Sequence, residues 1–327
     1  INTPTLVMIN KIRRTIMTYT NKLYKTYPEY LKTIFPFKVQ KISLNAGFTC
    51  PNRDGSKGKG GCTYCNNQTF NPSYCKTDKT ISTQLDEGKV FFARKYPSMK
   101  YLAYFQAYTN TYDELSELVK KYEEALKVKD IVGLVIGTRP DCMPDNLLDY
   151  LEELNKTTHV FVEYGIESTN NDTLERINRG HTFEESVEAI NRTVDRNIPT
   201  GAHVILGLPG EQKDEILQQA ETMAQLPLTS IKLHQLQIIK GTKMAKEYKE
   251  CPEDFHFFKV EDYCDIVVEY LQRLNPNFAI ERFISQSPKD LVITPDWGLK
   301  NYEFTELVIK RMKELEAYQG KLFKIKK

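Results

Sequence analysis

Residues 44–65 read Leu44-Asn-Ala-Gly-Phe-Thr-Cys-Pro-Asn-Arg-Asp-Gly-Ser-Lys-Gly-Lys-Gly-Gly-Cys-Thr-Tyr-Cys65, and the interpretation of the whole chain depends on this stretch. It holds Cys50, Cys62 and Cys65 in a C-x11-C-x2-C arrangement. Four glycines lie between the first two cysteines, where Pro51 is the only hydrophobic residue. Glycine has no side chain to pack and little backbone preference, so we predict a loop without a buried helix or strand. Three thiolates around a metal centre would hold such a loop in place.

The cysteine spacing alone leaves two kinds of metal site open. With Cys75 as a fourth ligand, the thiolates could form a structural zinc tetrahedron in a non-catalytic module that binds protein or nucleic acid. Alternatively, three thiolates could hold an iron–sulfur cluster, and Cys75 would then be a bystander thiol. The chain has seven cysteines, an odd number that argues against a disulfide framework, and three are scattered singly: Cys142, Cys251 and Cys264.

The composition is that of an ordinary globular protein. Of 327 residues, 40% are hydrophobic and 27% are charged, and the net charge is only +2. No global charge favours nucleic acid, so a nucleic-acid site would have to be a local patch. No apolar run approaches the ~20 residues of a membrane helix, and the first residues lack the charged-then-apolar order of a signal peptide. We therefore expect a cytoplasmic protein that does not bind membranes.

Apolar segments alternate with amphipathic helices after the first strand. We predict strands at 39–44, 101–105, 131–136, 159–166, 200–206 and 230–239. The helices are predicted at 80–96, 113–127, 145–154, 182–197 and 214–226. Apolar strands that alternate with helices predict a parallel sheet covered by helices, which is an α/β fold. Six strands fall short of the eight in a closed barrel, so we predict a partial (β/α)6 barrel of the TIM type.

The alternation changes after residue 250, and we predict three parts of the chain. Residues 1–36 form an N-terminal lead-in, residues 37–250 the partial barrel, and residues 251–327 a small C-terminal α/β extension packed on the barrel. In the extension we predict a helix at 260–274, a strand at 278–284 and a helix at 302–318.

Polar or glycine-bearing turns follow the six predicted strands. Because ligands of parallel α/β folds bind at the carboxyl ends of the strands, these turns should meet at one rim, which predicts an enzyme. The turns are the cysteine loop and residues 106–110, 137–141, 167, 207–210 and 240–242. Glu163, His203 and His234 lie on strands, where each could be an interior hydrogen-bonding partner or a ligand contact. Arg139 could cap a helix or contact a substrate.

These segments resemble the radical S-adenosylmethionine (SAM) enzymes. The resemblance is closest to the YhcC/YtqA-like branch, which is related to the radical SAM domain of the Elongator catalytic subunit. The matching segments occur in the same order over roughly residues 38–245: Gly-Phe-Thr-Cys-Pro-Asn-Arg-Asp-Gly at 47–55, Gly-Gly-Cys-Thr-Tyr-Cys at 60–65, Tyr-Phe-Gln-Ala-Tyr-Thr-Asn-Thr at 104–111, Gly-Thr-Arg-Pro-Asp-Cys at 137–142, Arg-Ile-Asn-Arg-Gly-His at 176–181, Gly-Leu-Pro-Gly-Glu at 207–211 and Ile-Lys-Leu-His at 231–234.

The resemblance implies a [4Fe-4S] cluster held by Cys50, Cys62 and Cys65, with one iron left open for the amino and carboxylate groups of SAM. The reduced cluster of such enzymes cleaves SAM to methionine and a 5′-deoxyadenosyl radical, which abstracts hydrogen from a substrate. A reductase, a flavodoxin or a ferredoxin would supply the electron. The kinship with Elongator suggests a tRNA wobble-uridine nucleoside as the substrate.

The resemblance also implies roles for residues that would bind SAM. Tyr64 would lie near the adenine. The turn formed by Gln106, Ala107, Tyr108 and Thr109 would offer backbone groups to the methionine amine. The ribose would face Glu167 and His203, and the SAM carboxylate would pair with Arg179, whose guanidinium can form two parallel hydrogen bonds.

Overall fold

The computed structural model describes residues 23–93 and 98–325, so residues 1–22 of the predicted lead-in lie outside the described residues. The helices are α1 (Tyr27–Ile34), α2 (Pro51–Asp54), α3 (Ile81–Ala93), α4 (Leu115–Lys127), α5 (Asp145–Asn155), α6 (Asn171–Arg176), α7 (Phe183–Val194), α8 (Lys213–Met223), α9 (Lys243–Glu250), α10 (Val260–Arg273) and α11 (Asn301–Glu314). The strands are β1 (Val39–Leu44), β2 (Lys100–Phe105), β3 (Ile131–Thr138), β4 (His159–Glu167), β5 (Thr200–Leu206), β6 (Ser230–Gln235), β7 (Ile238–Ile239), β8 (Ala279–Arg282) and β9 (Val292–Thr294). None of these helices is long and apolar enough to cross a membrane.

Seven strands form one parallel sheet in the order β1-β2-β3-β4-β5-β6-β8. The register pairs Leu44 with Phe105 and Leu206 with Gln235, so neighbouring strands end at the same level. The carboxyl ends of the strands therefore share one rim, as the alternation of strands and helices predicted. The predicted α/β class is confirmed.

A single ion pair shows that the sheet is curled. Strands β1 and β8 are the two edges of the seven-stranded sheet, yet Lys41 Nζ lies 2.6 Å from Glu281 Oε2. In a flat sheet of this width the edges would be roughly 29 Å apart, at about 4.8 Å between neighbouring strands. The sheet is thus a partial barrel whose edges face each other across a lumen, and the predicted partial barrel is confirmed.

Side chains alternate between the two faces of each strand, and apolar clusters cover both faces. The strands are therefore apolar along nearly their whole length. On the outer face, residues such as Ile42 and Val162 pack in the main core with the surrounding helices. On the inner face, Leu102 and Phe161 pack with Tyr27 of α1 in a smaller cluster. The N-terminal helix therefore fills the amino end of the lumen and leaves the carboxyl end for polar groups.

The sheet has one strand more than the six that the sequence predicted. Strand β8 comes from the segment assigned to the C-terminal extension, and it pairs in parallel with β6, for example through Ser230 and Ala279. The predicted sixth strand ends at Gln235, because Ile238 and Ile239 leave the sheet and pair with β9 instead. The domain boundaries at residues 36 and 250 stay a prediction.

The prediction that residues 51–61 contain no buried helix was wrong. Helix α2 begins directly after Cys50, and Pro51 and Asn52 are buried. Proline suits the first position of a helix because it has no N–H to leave unpaired and its φ is already helical. Gly55, with φ of 97°, ends the helix in the left-handed conformation that glycine tolerates best. Local backbone chemistry thus builds one helical turn without an apolar face.

A buried hydrogen bond joins the turns that follow β4 and β5. The Ser168 hydroxyl donates to Glu211 Oε1, and Glu211 is only 4% exposed. Among the described residues, Glu211 Oε2 has no hydrogen-bonding partner. Burial raises the pKa of Glu211 to about 7, although the hydrogen bond from Ser168 opposes the rise. Burial therefore makes the protonated carboxyl group the more stable form below about pH 7.

We predict that Glu211→Gln changes the pH dependence of stability. Because the folded pKa exceeds the ordinary value of 4.5, stability from this group is present below pH 4.5 and lost as the pH rises to about 7. The free energy of unfolding of the variant, relative to wild type, should rise by roughly 3 kcal/mol over this window. Urea unfolding at several pH values measures it, with Glu188→Gln as an exposed control. An equal difference at every pH would contradict the prediction.

Candidate functional site

A cavity of about 680 Å³ lies at the rim formed by the carboxyl ends of the strands. It brings together ten of the eleven residues that the sequence analysis assigned to the site: Cys50, Cys62, Cys65, Tyr64, Gln106, Tyr108, Thr109, Glu167, Arg179 and His203. Ala107 is buried in the turn and does not line the cavity. Residues distant in sequence therefore meet at one surface, while their individual roles stay predictions.

Hydrogen bonds to one short segment hold the cysteine loop at the rim. Asn178 Nδ2 donates to Gly61 O at 2.9 Å, and Thr63 N donates to Ile177 O at 2.9 Å. In return, the Asn52 side chain donates to the carbonyl oxygen of Asn178. The loop has almost no apolar side chains, so these bonds replace the packing that would otherwise fix its position.

Three side-chain N–H groups point at the cysteine sulfurs. Asn52 Nδ2 lies 3.7 Å and Arg179 Nη1 lies 3.5 Å from Cys62 Sγ, and Asn67 Nδ2 lies 3.5 Å from Cys65 Sγ. Burial and the neighbouring Cys62 raise the pKa of Cys65 to about 11. The donors favour thiolates, and a bound metal centre would supply the positive charge that buried thiolates need.

The arrangement of the sulfurs distinguishes between the two metal sites that the sequence left open. Within residues 23–93 and 98–325, no three His, Cys, Asp or Glu side chains converge to hold a single metal ion. Cys75 does not line the cavity, and its buried Sγ donates to Ser43 O at 2.8 Å. In a [4Fe-4S] cluster each cysteine binds its own iron, so the sulfurs need not meet at one point. The cysteines therefore fit a cluster, and four-cysteine zinc binding is not favoured.

The turn after β2 presents acceptors to the cavity. Its amide nitrogens are used within the protein, since Gln106, Tyr108 and Thr109 donate to Leu44 O, Asn67 Oδ1 and Thr49 O. Tyr108 has a φ of 64°, which turns the backbone sharply at this point. Thr109 O accepts from Tyr112 N, which leaves the carbonyl oxygens of Gln106, Ala107 and Tyr108 as acceptors, and a protonated amine requires acceptors of this kind.

Arg179 is a buried charged residue of the rim. It is 6% exposed, and its Nη2 donates to Gly165 O and lies 3.7 Å from Glu167 Oε1. Its Nε is buried without a partner among the described residues, so one donor remains available. A Cβ on Gly165 would come within 2.6 Å of Glu167 Oε1 and 2.8 Å of Arg179 Nη2. Only glycine leaves room for this pair.

Arg139 supports Arg179 and does not itself have a free guanidinium. Its Nε and Nη2 form a fork with Asp141 at 2.9 and 3.0 Å, and its Nη1 donates to Arg179 O at 2.8 Å. The sequence left two roles open for Arg139, a helix cap and a substrate contact. Its side chain forms no capping hydrogen bond, and its guanidinium is already bonded to Asp141 and to Arg179 O. Arg139 holds the backbone that carries Arg179.

An ion network centred on Glu163 forms the floor of the cavity. Glu163 is 1% exposed and accepts from Lys41, from Lys232 Nζ at 3.0 Å and from His203 Nε2 at 2.8 Å. Burial alone would raise the pKa of Glu163, but Lys232 and Lys41 hold it well below its usual value. Burial lowers the pKa of His203, which favours the neutral imidazole. Glu163 is thus an interior hydrogen-bonding and salt-bridge partner, and because it also lines the cavity, the ligand contact stays a prediction.

Several residues of the site were missed by sequence reasoning. Asn52, Arg53 and Asn178 lie inside the matching segments, yet nothing in the sequence indicated their partners; Arg53 Nη2 donates to Cys65 O at 3.0 Å. Asn67, which links Cys65 Sγ to Tyr108 N, lies just outside those segments. Amide and guanidinium side chains are frequent in the sequence around the cysteines, and this enrichment could have identified these residues as partners of the sulfurs.

Two family models match the chain and together cover most of it. The Radical SAM superfamily model matches residues 49–223, and the Radical SAM C-terminal domain model matches residues 228–314. YtqA of Bacillus subtilis is 36% identical over 304 residues, which are 93% of this chain and 94% of that protein. YhcC of Escherichia coli K12 is 37% identical over 261 residues, covering 80% and 82%. The predicted resemblance to this branch is confirmed.

Two more distant relatives are a protein named for its substrate and a protein with a solved structure. The tRNA uridine(34) acetyltransferase of Methanocaldococcus infernus is 26% identical over 203 residues, which are 60% of this chain and 36% of that protein. The solved structure of archaeal Elp3 from the same organism, with an N-terminal deletion, matches with a TM-score of 0.63 at 16% identity. It covers 86% of this chain and 64% of that one, and it supports the partial-barrel fold.

We predict that Cys62→Ala and Cys75→Ser have different effects on metal content. Removing Cys62 takes away one of the three cavity thiols, so the variant should retain less than about a fifth of the wild-type iron after anaerobic reconstitution. The hydroxyl in Cys75→Ser can still donate to Ser43 O, so iron content should stay near wild type. Iron and sulfide assays with visible spectra measure both. Equal loss in the two variants would mean that Cys75 is a ligand.

Proposed function

Because the chain belongs to the radical SAM superfamily, we propose that it binds a [4Fe-4S] cluster through Cys50, Cys62 and Cys65 and initiates SAM-dependent radical chemistry. The observation that carries this proposal is the single cavity that the three thiols share with the residues expected to bind SAM. When bound, the reduced cluster would deliver the electron that cleaves SAM to methionine and a 5′-deoxyadenosyl radical.

The protein would orient SAM through contacts at both ends of the molecule. The carbonyl oxygens of the Gln106–Thr109 turn would accept from the methionine ammonium, and Arg179 Nε would donate to its carboxylate. Glu167 would accept from the ribose hydroxyls beside His203. Tyr64, which packs with the cluster of apolar residues around Leu236, would cover the adenine.

A rigid floor would hold His203 in place below the ribose. Glu163 accepts from His203 Nε2 and is itself fixed by Lys41 and Lys232. Lys232 also pairs with Glu281 at 2.9 Å, so both buried lysines have carboxylate partners. This network would orient the imidazole without giving it a charge.

We propose a tRNA nucleoside as the substrate and an external protein as the electron donor. The relationship to a tRNA uridine(34) acetyltransferase supports a uridine at the wobble position. Each cleavage of SAM consumes one electron, which a reductase, a flavodoxin or a ferredoxin would deliver in the cytoplasm.

The chemical proposal predicts formation of 5′-deoxyadenosine. Protein reconstituted without oxygen, reduced with dithionite and given SAM should release it, as measured by liquid chromatography and mass spectrometry. Glu167→Gln weakens the acceptor for the ribose hydroxyls, so the Kd for SAM should rise about tenfold while iron content stays constant. Colourless protein that carries one zinc per chain and leaves SAM intact would contradict the proposal.

The substrate proposal predicts a change in tRNA nucleosides. Digested tRNA from cells without the gene should lack one modified wobble uridine, or contain its precursor, when compared with cells that carry the gene. Complementation with the Cys62→Ala variant should fail to restore the nucleoside. Identical nucleoside profiles would remove tRNA as the substrate and leave the SAM cleavage assay to test the radical chemistry separately.

A further inference from the structure

One wall of the cavity contains polar groups that have no expected role in binding SAM. It is formed by the carboxyl end of β6, the end of β8 and the segment that follows β8, with His234, Gln235, Arg282 and Ser285 among its lining residues. His234 lies beside His203, with ring centroids 5.8 Å apart, so this wall adjoins the expected ribose position. A substrate that meets the 5′-carbon of SAM would have to enter next to it.

Hydrogen bonds around Ser285 fix the tautomer of His234. The Ser285 hydroxyl donates to the carbonyl oxygen of Gln235 at 3.1 Å, because a carbonyl can only accept. The hydroxyl has one hydrogen, so both 3.1 Å contacts are hydrogen bonds only when it accepts from His234 Nδ1, and this arrangement also satisfies the buried carbonyl oxygen of Gln235. Nδ1 therefore carries the proton, and Nε2 presents a lone pair.

The lone pair of His234 has no partner in the described part of the chain. His234 Nε2 is fully buried and forms no hydrogen bond with any described residue. Burial and the nearby charge of Arg282 lower the pKa of His234 well below its usual value, so the ring stays neutral. A buried acceptor without a donor is destabilising, and a bound ligand with an N–H group would satisfy it.

Arg282 supplies a donor on the same wall. It is half-buried and lines the cavity, and among residues 23–93 and 98–325 it forms no ion pair and no side-chain hydrogen bond. The neighbouring carboxylate of Glu281 is already shared between Lys41 and Lys232. The guanidinium is therefore available to a carbonyl or anionic group of a ligand.

We propose that His234 and Arg282 recognise the imide edge of a substrate uracil, in which an N–H group lies beside carbonyl oxygens. His234 Nε2 accepts from the ring N3–H, and the Arg282 guanidinium donates to an adjacent carbonyl oxygen. Cytosine is excluded at this site because its N3 carries a lone pair that would face the lone pair of Nε2. The inference rests on the proposed function only for the choice of a nucleobase as the substrate.

Binding of a short RNA hairpin tests this assignment. The hairpin carries one unpaired uridine, and matched hairpins carry 3-methyluridine or cytidine at that position. Fluorescence anisotropy is measured with cluster-loaded protein and SAM, without reductant, so that no turnover occurs. The uridine hairpin should bind at least about tenfold more tightly than the other two, because one good base contact contributes this much.

Substitutions distinguish a specific contact of His234 with the base from general effects on RNA binding. In His234→Asn the shorter amide can still donate to Ser285 Oγ but presents nothing at the Nε2 position, so the tenfold preference for uridine should vanish. His234→Gln places an amide oxygen near that position and should restore part of it. His256→Asn, at an exposed histidine outside the cavity, should keep the full preference. Iron content and the thermal midpoint establish that each variant is folded.

Two results would overturn the subsite. One is wild-type protein that binds the three hairpins equally or binds none of them. The other is undiminished preference for uridine in His234→Asn. Neither result depends on SAM cleavage, which is followed separately as 5′-deoxyadenosine, so a failure of the subsite is distinguishable from a failure of the radical chemistry.

Discussion

The site depends on the hydrogen bonds that tie the cysteine loop to residues 177–179. A loop with four glycines between Cys50 and Cys62 cannot bury an apolar face, so its position is set by polar contacts. The two amide side chains of Asn52 and Asn178 exchange bonds with the opposite backbone, and Thr63 adds a third connection. The same segment carries Arg179, so the fold places the cysteine sulfurs and the buried guanidinium as one unit.

The lumen below this unit contains charges that compensate one another. Two lysines, Lys41 and Lys232, share two carboxylates, Glu163 and Glu281, while His203 and His234 stay neutral. Burying such a network costs desolvation energy, and it is weak evidence of added stability. The network instead fixes the positions of its side chains, because removing any one of the four charged groups would leave an uncompensated charge in the lumen. The floor therefore fixes the inner face of the rim on which the site is built.

The periodicity of the sequence predicted the fold because the strands are buried on both faces and their apolar runs are unmistakable. It predicted a strand at 278–284 but assigned it to the C-terminal extension, because its place in the barrel sheet depends on pairing with the distant strand β6. The short helix α2 was missed because a proline and a left-handed glycine define it, without an amphipathic pattern. Motifs identified the residues that line the cavity, but the partners of Arg179, Asn67 and His234 depend on contacts between distant segments.

We have proposed that three cysteines hold a cluster with one iron left open for SAM. The most direct measurement is the Mössbauer spectrum of ⁵⁷Fe-reconstituted protein, recorded without and with SAM. We expect the isomer shifts of a [4Fe-4S] cluster and, on addition of SAM, a change confined to one of the four irons. A spectrum that does not change with SAM, or iron that fails to assemble into a cluster, would contradict it.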